Sequence, residues 1–187
     1  GFAAVPADIL ADLLLRTTEL LSLKINTVSI NLNREQLLNP ILLSALVEVQ
    51  KKLRPTKVFI ELTEDEMIQP LTEQEIIQRI KAFNNLGIDV VLDDVGTGAN
   101  KFDLIESIIP YTAGIKVAMQ NFRKENQSEE QIVTELQFFK NKMQAVNKRM
   151  LVEGMEDEHD ESLLDKLNLD FRQGYYYGRP HLVKLAE

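Results

Sequence analysis

The sequence predicts an α/β protein whose parallel strands are joined by helical crossovers. Three observations support this. Short apolar runs that read as buried strands recur along the chain, at TVSIN (27–31), KVFIE (57–61), DVVLD (89–93), AGIK (113–116), RMLVE (149–153) and DFRQG (170–174). Segments of helical periodicity lie between most of them. Strand after strand also ends on a side chain able to bind or react: Asn31, Glu61, Asp93, Lys116, Glu153 and Gln173.

The first helix is expected over 6–23, where Ile9, Leu10, Leu13, Leu14 and Leu20 form an apolar stripe. Further helices are expected over 35–53, 72–86 and 128–146, with a shorter one over 157–167. Thr72 with Glu75, and Ser128 with Gln131, have capping-box spacing. Gly87 stands where a helix commonly ends on glycine. Strands recur every 20 to 37 residues or so, the unit size of a (β/α) barrel. An open doubly wound sheet has the same local rhythm. The polar strand ends favour the barrel, because a parallel barrel gathers its C-terminal strand ends around one mouth. Six strand candidates are present where such a barrel has eight, so two are expected upstream, or from another chain, or the barrel is open.

The chain of 187 residues carries 21 Lys+Arg and 29 Asp+Glu, a formal charge of −8. A single domain over 1–187 is expected at this length. The acidic balance disfavours binding to a nucleic-acid polymer. There is no cysteine, which excludes thiolate metal sites, disulfides and thiol nucleophiles. No apolar stretch reaches membrane-spanning length and no secretory signal is visible, so a cytoplasmic protein is expected.

Glu61, Asp93, Asp94 and Glu153 would crowd one mouth, and their mutual repulsion calls for cations. Oxygen donors without cysteine or clustered histidine suit Mg²⁺ or Mn²⁺, and Asn31 adds a neutral carbonyl oxygen. The set is large enough for two ions, an arrangement suited to phosphoester hydrolysis. Lys116 supplies a positive donor for an attacking water; alternatively it neutralises one of the acids as an ion pair. In DDVGTG (93–98), Gly96 and Gly98 allow a tight turn close to a ligand. The plainer reading is that Asp94 or Thr97 caps the next helix. His159 and His181 read as surface residues. An enolase-like proton abstraction also fits strand-end acids with a lysine, but no second strand-end lysine is present.

The segments SINL (29–32), FIELTE (59–64), LDDVGTG (92–98), GIK (114–116), VEGMED (152–157) and QGYYYGRP (173–180) follow one another as the successive signatures of the EAL domain family do. The chain resembles that family across nearly its whole length. The resemblance implies a modified TIM barrel that opens cyclic di-GMP to linear pGpG with Mg²⁺ or Mn²⁺. It implies that Asn31, Glu61 and Asp93 ligate one metal and that Asp93 and Asp94 serve a second. Lys116 would contact the nucleophilic water, Glu153 and Gln173 would complete the site, and Glu156 would anchor the loop carrying Asp94, Gly96, Thr97 and Gly98. It also implies dimerisation through that loop and its following helix, and a fused sensory or GGDEF-type domain. The Glu-Ala-Leu motif itself is absent, Val95 replaces the usual phenylalanine, and Ala118 stands where aspartate is frequent. These departures leave a degenerate binding module, a sensor or scaffold, as the alternative to an enzyme. They lead us to expect little turnover from residues 1–187 alone.

Overall fold

A computed structural model describes residues 6–17, 27–66, 72–169 and 172–174. The chain divides into two compact units, Gly1–Ile115 and Lys116–Glu187.

The N-terminal unit contains α1 (Ala7–Thr17), β1 (Thr27–Leu32), α2 (Arg34–Leu38), α3 (Pro40–Leu53), β2 (Lys57–Leu62), α4 (Glu73–Asn85), β3 (Asp89–Leu92) and α5 (Phe102–Ile105). β4 (Gly114–Ala118) begins in this unit and ends in the next. β1 pairs with β2, β2 with β3, and β3 with Gly114–Ile115 of β4, all in parallel. The alternation typical of strands is explicit. Ile30, Leu32, Ile60, Leu62, Val90 and Leu92 are buried, while the residues between them are more exposed. Leu37, Leu42, Leu46, Ile76, Ile80 and Phe83 of the intervening helices are buried as well.

The strand expectations hold within one or two residues, and residues 170–171 of the last expected strand lie outside the described residues. The single helix expected over 35–53 is instead two. Asn39 ends α2 and caps α3 by accepting the Ile41 N–H at 2.9 Å, and Pro40 occupies the first turn of α3. Proline lacks an N–H and cannot continue a helix from behind, but it suits a first turn. Both expected capping boxes form, at Thr72–Glu75 for α4 and at Ser128–Gln131 for α7 (Glu129–Ala145). Gly87 follows α4 with φ +80°, the left-handed conformation that glycine adopts at least cost. The part of the first expected helix beyond residue 17, and most of QGYYYGRP, lie outside the described residues.

The C-terminal unit contains the end of β4, α6 (Met119–Lys124), α7, β5 (Arg149–Met155), α8 (Glu158–Lys166) and β6 (Arg172–Gly174), with β5 and β6 parallel. Leu136, Phe139, Met143, Val152, Met155, Leu163 and Leu164 are buried in it. Short α5 and α6 were not anticipated, because four- and six-residue helices carry too little periodicity to show in a sequence. Among the described residues, no helix is long and apolar enough to cross a membrane.

Two outcomes follow. Phe83 is fully buried, so Phe83→Ala should cost about 3–5 kcal/mol in urea unfolding. The Thr72 hydroxyl and N–H hold the Glu75 carboxylate below its usual pKa. A group lowered on folding stabilises at pH above its unfolded pKa, and that contribution is lost as pH falls through the folded value. Thr72→Ala should therefore raise the Glu75 pKa, read by side-chain NMR titration; an unchanged value would contradict the capping box as its cause.

Candidate functional site

Register decides where the polar strand ends point. Asn31 is the direct partner of Glu61, and partners on neighbouring parallel strands project to the same side. Glu61 is in turn the partner of Val91. Asp93 lies two residues beyond Val91, and its N–H donates to the Leu62 carbonyl at 2.9 Å, which extends the ladder past β3. The alternation thus places Asn31, Glu61 and Asp93 on one face, opposite the buried Ile30, Leu32, Ile60, Leu62, Val90 and Leu92. Asp93 itself is buried, at 7% exposure. An amide oxygen and two carboxylates on one face are hard donors, the chemistry that suits Mg²⁺ or Mn²⁺. Among the described residues, no three His, Cys, Asp or Glu side chains cluster closely enough to form a metal cage of their own.

The loop after Asp93 is tightly determined. Asp94 has φ +45° and donates its N–H to the Asp93 carboxylate at 3.1 Å. Aspartate tolerates this left-handed conformation better than most residues. The Asp94 carbonyl accepts from the Thr97 N–H at 3.2 Å and the Thr97 hydroxyl at 2.8 Å. Thr97 does not cap the following 3-10 turn with its side chain, so the plainer capping reading fails for this residue. Gly98 has φ +46°, and a Cβ there would collide with the Glu64 carbonyl, which accepts the Ala99 N–H at 2.8 Å. Gly96 has φ +105°.

Two residues beneath this loop escaped the sequence reading. Arg34, only 6% exposed, donates to the Thr63 carbonyl at 3.0 Å, the Ala99 carbonyl at 2.7 Å and the Asn100 side-chain oxygen at 2.8 Å. Burial pushes the Arg34 pKa down, and Asp65 opposes that shift. Asn100 is fully buried. Neither residue ends a strand or falls within the segments singled out in the sequence, so no local signal marked it.

In the C-terminal unit, the Lys116 ammonium lies 2.8 Å from the Glu153 carboxylate, with both side chains largely buried. The ion-pair alternative for Lys116 is thus realised, with Glu153 as its acid. Gly154 follows with φ +75° against the Gln120 side chain, where a Cβ would clash. Arg123 donates to the Gly154 carbonyl at 3.1 Å and pairs with Asp160 and, at 3.3 Å, with Glu156. The buried Asp160 also accepts the Glu156 N–H at 2.9 Å. Gln173 lies in β6. His159 is exposed as expected, and His181 lies outside the described residues.

Parallel strands joined by helices, the first three ending on an amide and two carboxylates that share a side, define an α/β protein with a polar strand-end face in its N-terminal unit. The EAL domain family matches residues 6–180, and the chain belongs to that family. It is 30% identical over 124 residues to the oxygen sensor protein DosP of Escherichia coli, covering 66% of this chain and 15% of DosP. It is 26% identical over 156 residues to the cyclic di-GMP phosphodiesterase PdeR of the same organism, covering 82% of this chain and 23% of PdeR. The chain thus spans less than a quarter of either relative. Its fold matches the Bacillus subtilis YkuI protein, solved with an EAL domain in complex with substrate cyclic di-GMP and calcium. That match has a TM-score of 0.71 at 16% identity, over 98% of this chain and 46% of YkuI. The fold class is therefore the one expected, α/β of the modified TIM-barrel type, with six strands among the described residues.

Gly98→Ala combines a left-handed φ with a backbone collision and should cost about 1–3 kcal/mol in chemical denaturation. Gly87→Ala, where a Cβ meets nothing within 4 Å, should cost less; equal losses would contradict the close approach to Glu64.

Proposed function

We propose that this chain is the phosphodiesterase part of a cytoplasmic signalling protein that hydrolyses cyclic di-GMP to linear pGpG. The observation that carries the reading is the shared face of Asn31, Glu61 and Asp93, in a chain of the EAL family. The names of PdeR and YkuI supply the substrate class.

In this reading Asn31, Glu61 and Asp93 hold one Mg²⁺ or Mn²⁺, and Asp93 with Asp94 serves a second. Such ions lower the pKa of water and offset charge on a phosphoryl oxygen. Lys116 holds the attacking water through a hydrogen bond from its ammonium, and its ion pair with Glu153 keeps that ammonium aimed. Water adds to one phosphorus, one ring P–O bond breaks, and the released 3′ oxygen takes a proton. Gln173 completes the polar lining. Glu156 anchors the loop of Asp94, Gly96, Thr97 and Gly98, and the same loop with its following helix supports a homodimer. A fused sensory or GGDEF-type domain accompanies the chain in the whole protein.

A second reading is a degenerate module that binds the nucleotide or a protein partner without cleaving it. Val95 and Ala118 favour it, because both replace larger or charged family residues at buried positions.

The full-length protein incubated with cyclic di-GMP and Mn²⁺ should yield pGpG by chromatography. Asp93→Asn or Glu61→Gln should lower the rate at least about 100-fold, the scale of losing a group that stabilises developing charge. Nucleotide binding without turnover would overturn the first reading in favour of the second, and no nucleotide binding at all would leave only the protein-interaction form of the second.

A further inference from the structure

We propose that Asn100, oriented by Arg34, is a positioning residue that ties the Leu62 and Asp93 carbonyls together and so sets where the Glu61 and Asp93 carboxylates project. The Asn100 side-chain NH₂ donates to the Leu62 carbonyl at 2.9 Å and to the Asp93 carbonyl at 2.5 Å. Its side-chain oxygen accepts from Arg34 at 2.8 Å. Its backbone N–H donates to Thr97 at 2.8 Å, and its carbonyl accepts the Gly96 N–H at 3.0 Å. Every polar group of a fully buried residue is therefore engaged.

The amide is the side chain this place requires. It must offer two donors to two backbone carbonyls and an acceptor to a guanidinium, and an uncharged carboxamide has both. A carboxylate would keep the Arg34 contact and turn oxygen lone pairs on the two carbonyls. Alanine would leave Arg34 and both carbonyls without this partner. Leu62 follows Glu61 directly, and the Asp93 carbonyl belongs to the other acid itself. Fixing both carbonyls restrains the backbone rotation that aims both carboxylates. Arg34 extends the tie, since it also holds the carbonyls of Thr63, just past β2, and of Ala99 in the loop.

What the two acids hold rests on the function proposed above; that Asn100 fixes their backbone does not. The test uses full-length protein and the variants Asn100→Asp, Asn100→Ala and Arg34→Lys. Amide hydrogen exchange is followed in EDTA below every variant's melting temperature, and Mn²⁺ affinity is measured by calorimetry. Asn100→Asp and Asn100→Ala should speed exchange of the amides in 93–98 by about ten-fold or more, with those of Ile60 and Val90 unchanged, as a local opening does. Mn²⁺ affinity should fall about 10- to 100-fold, the usual cost of losing a residue that orients a ligand. Arg34→Lys keeps the charge, loses the planar fork and should act in the same direction, which serves if an Asn100 variant fails to fold. Unchanged exchange over 93–98 would overturn the proposal, as would faster exchange with Mn²⁺ affinity retained. A wild-type protein with no Mn²⁺ affinity would instead contradict the proposed function, and the exchange result alone would then decide on Asn100.

Discussion

The parallel register of β1, β2 and β3 is the constraint on which the N-terminal unit depends. It sets Asn31 opposite Glu61 and carries the alternation on to Asp93. A slip of one residue on any strand would send its polar group toward the helices and its apolar residues outward. The buried row of Ile30, Leu32, Ile60, Leu62, Val90 and Leu92 forbids that slip. Each buried residue of this kind contributes on the order of 1.5–3 kcal/mol relative to exposure. The polar face is thus held in place by the apolar one behind it.

The chain also has to accommodate charge within its interior. Asp93, Arg34, Lys116 and Asp160 are all less than a tenth exposed. Burying a charge without partners is costly, so each needs hydrogen bonds or a counter-charge. Lys116 has Glu153, and Asp160 has Arg123 and the Glu156 N–H. Arg34 spends its guanidinium on three acceptors just past the strand ends. These arrangements sit beside the strand ends that carry the candidate chemistry, where a loose backbone would blur ligand geometry.

The fold was largely legible because its elements announce themselves locally. Capping boxes at Thr72 and Ser128, Gly87 after α4, and alternating apolar strands are short-range signals. The break at Asn39–Pro40 was visible in principle, since an asparagine before a proline is a strong boundary, but the apolar periodicity on both sides masked it. At the site, the strand-end residues were legible from their position in the repeat. Arg34 and Asn100 were not, because Arg34 reaches partners 29 to 66 residues away along the chain and Asn100 ties a carbonyl 38 residues away to the nearby one of Asp93, and one sequence does not record those contacts. Lys116 shows the other limit. Its sequence position fits a water-holding cation and an ion-pair partner equally, and only the 2.8 Å contact to Glu153 shows that the pair forms.

The central claim is that one face of the N-terminal unit receives a divalent cation. Paramagnetic broadening of assigned backbone resonances by substoichiometric Mn²⁺ tests it most directly. The account predicts that Asn31, Glu61 and Asp93 broaden first and together, while Ile76 and Ile80 of α4 stay sharp. Broadening confined to exposed carboxylates such as Glu129 and Glu130, with Asn31, Glu61 and Asp93 unaffected, would contradict it.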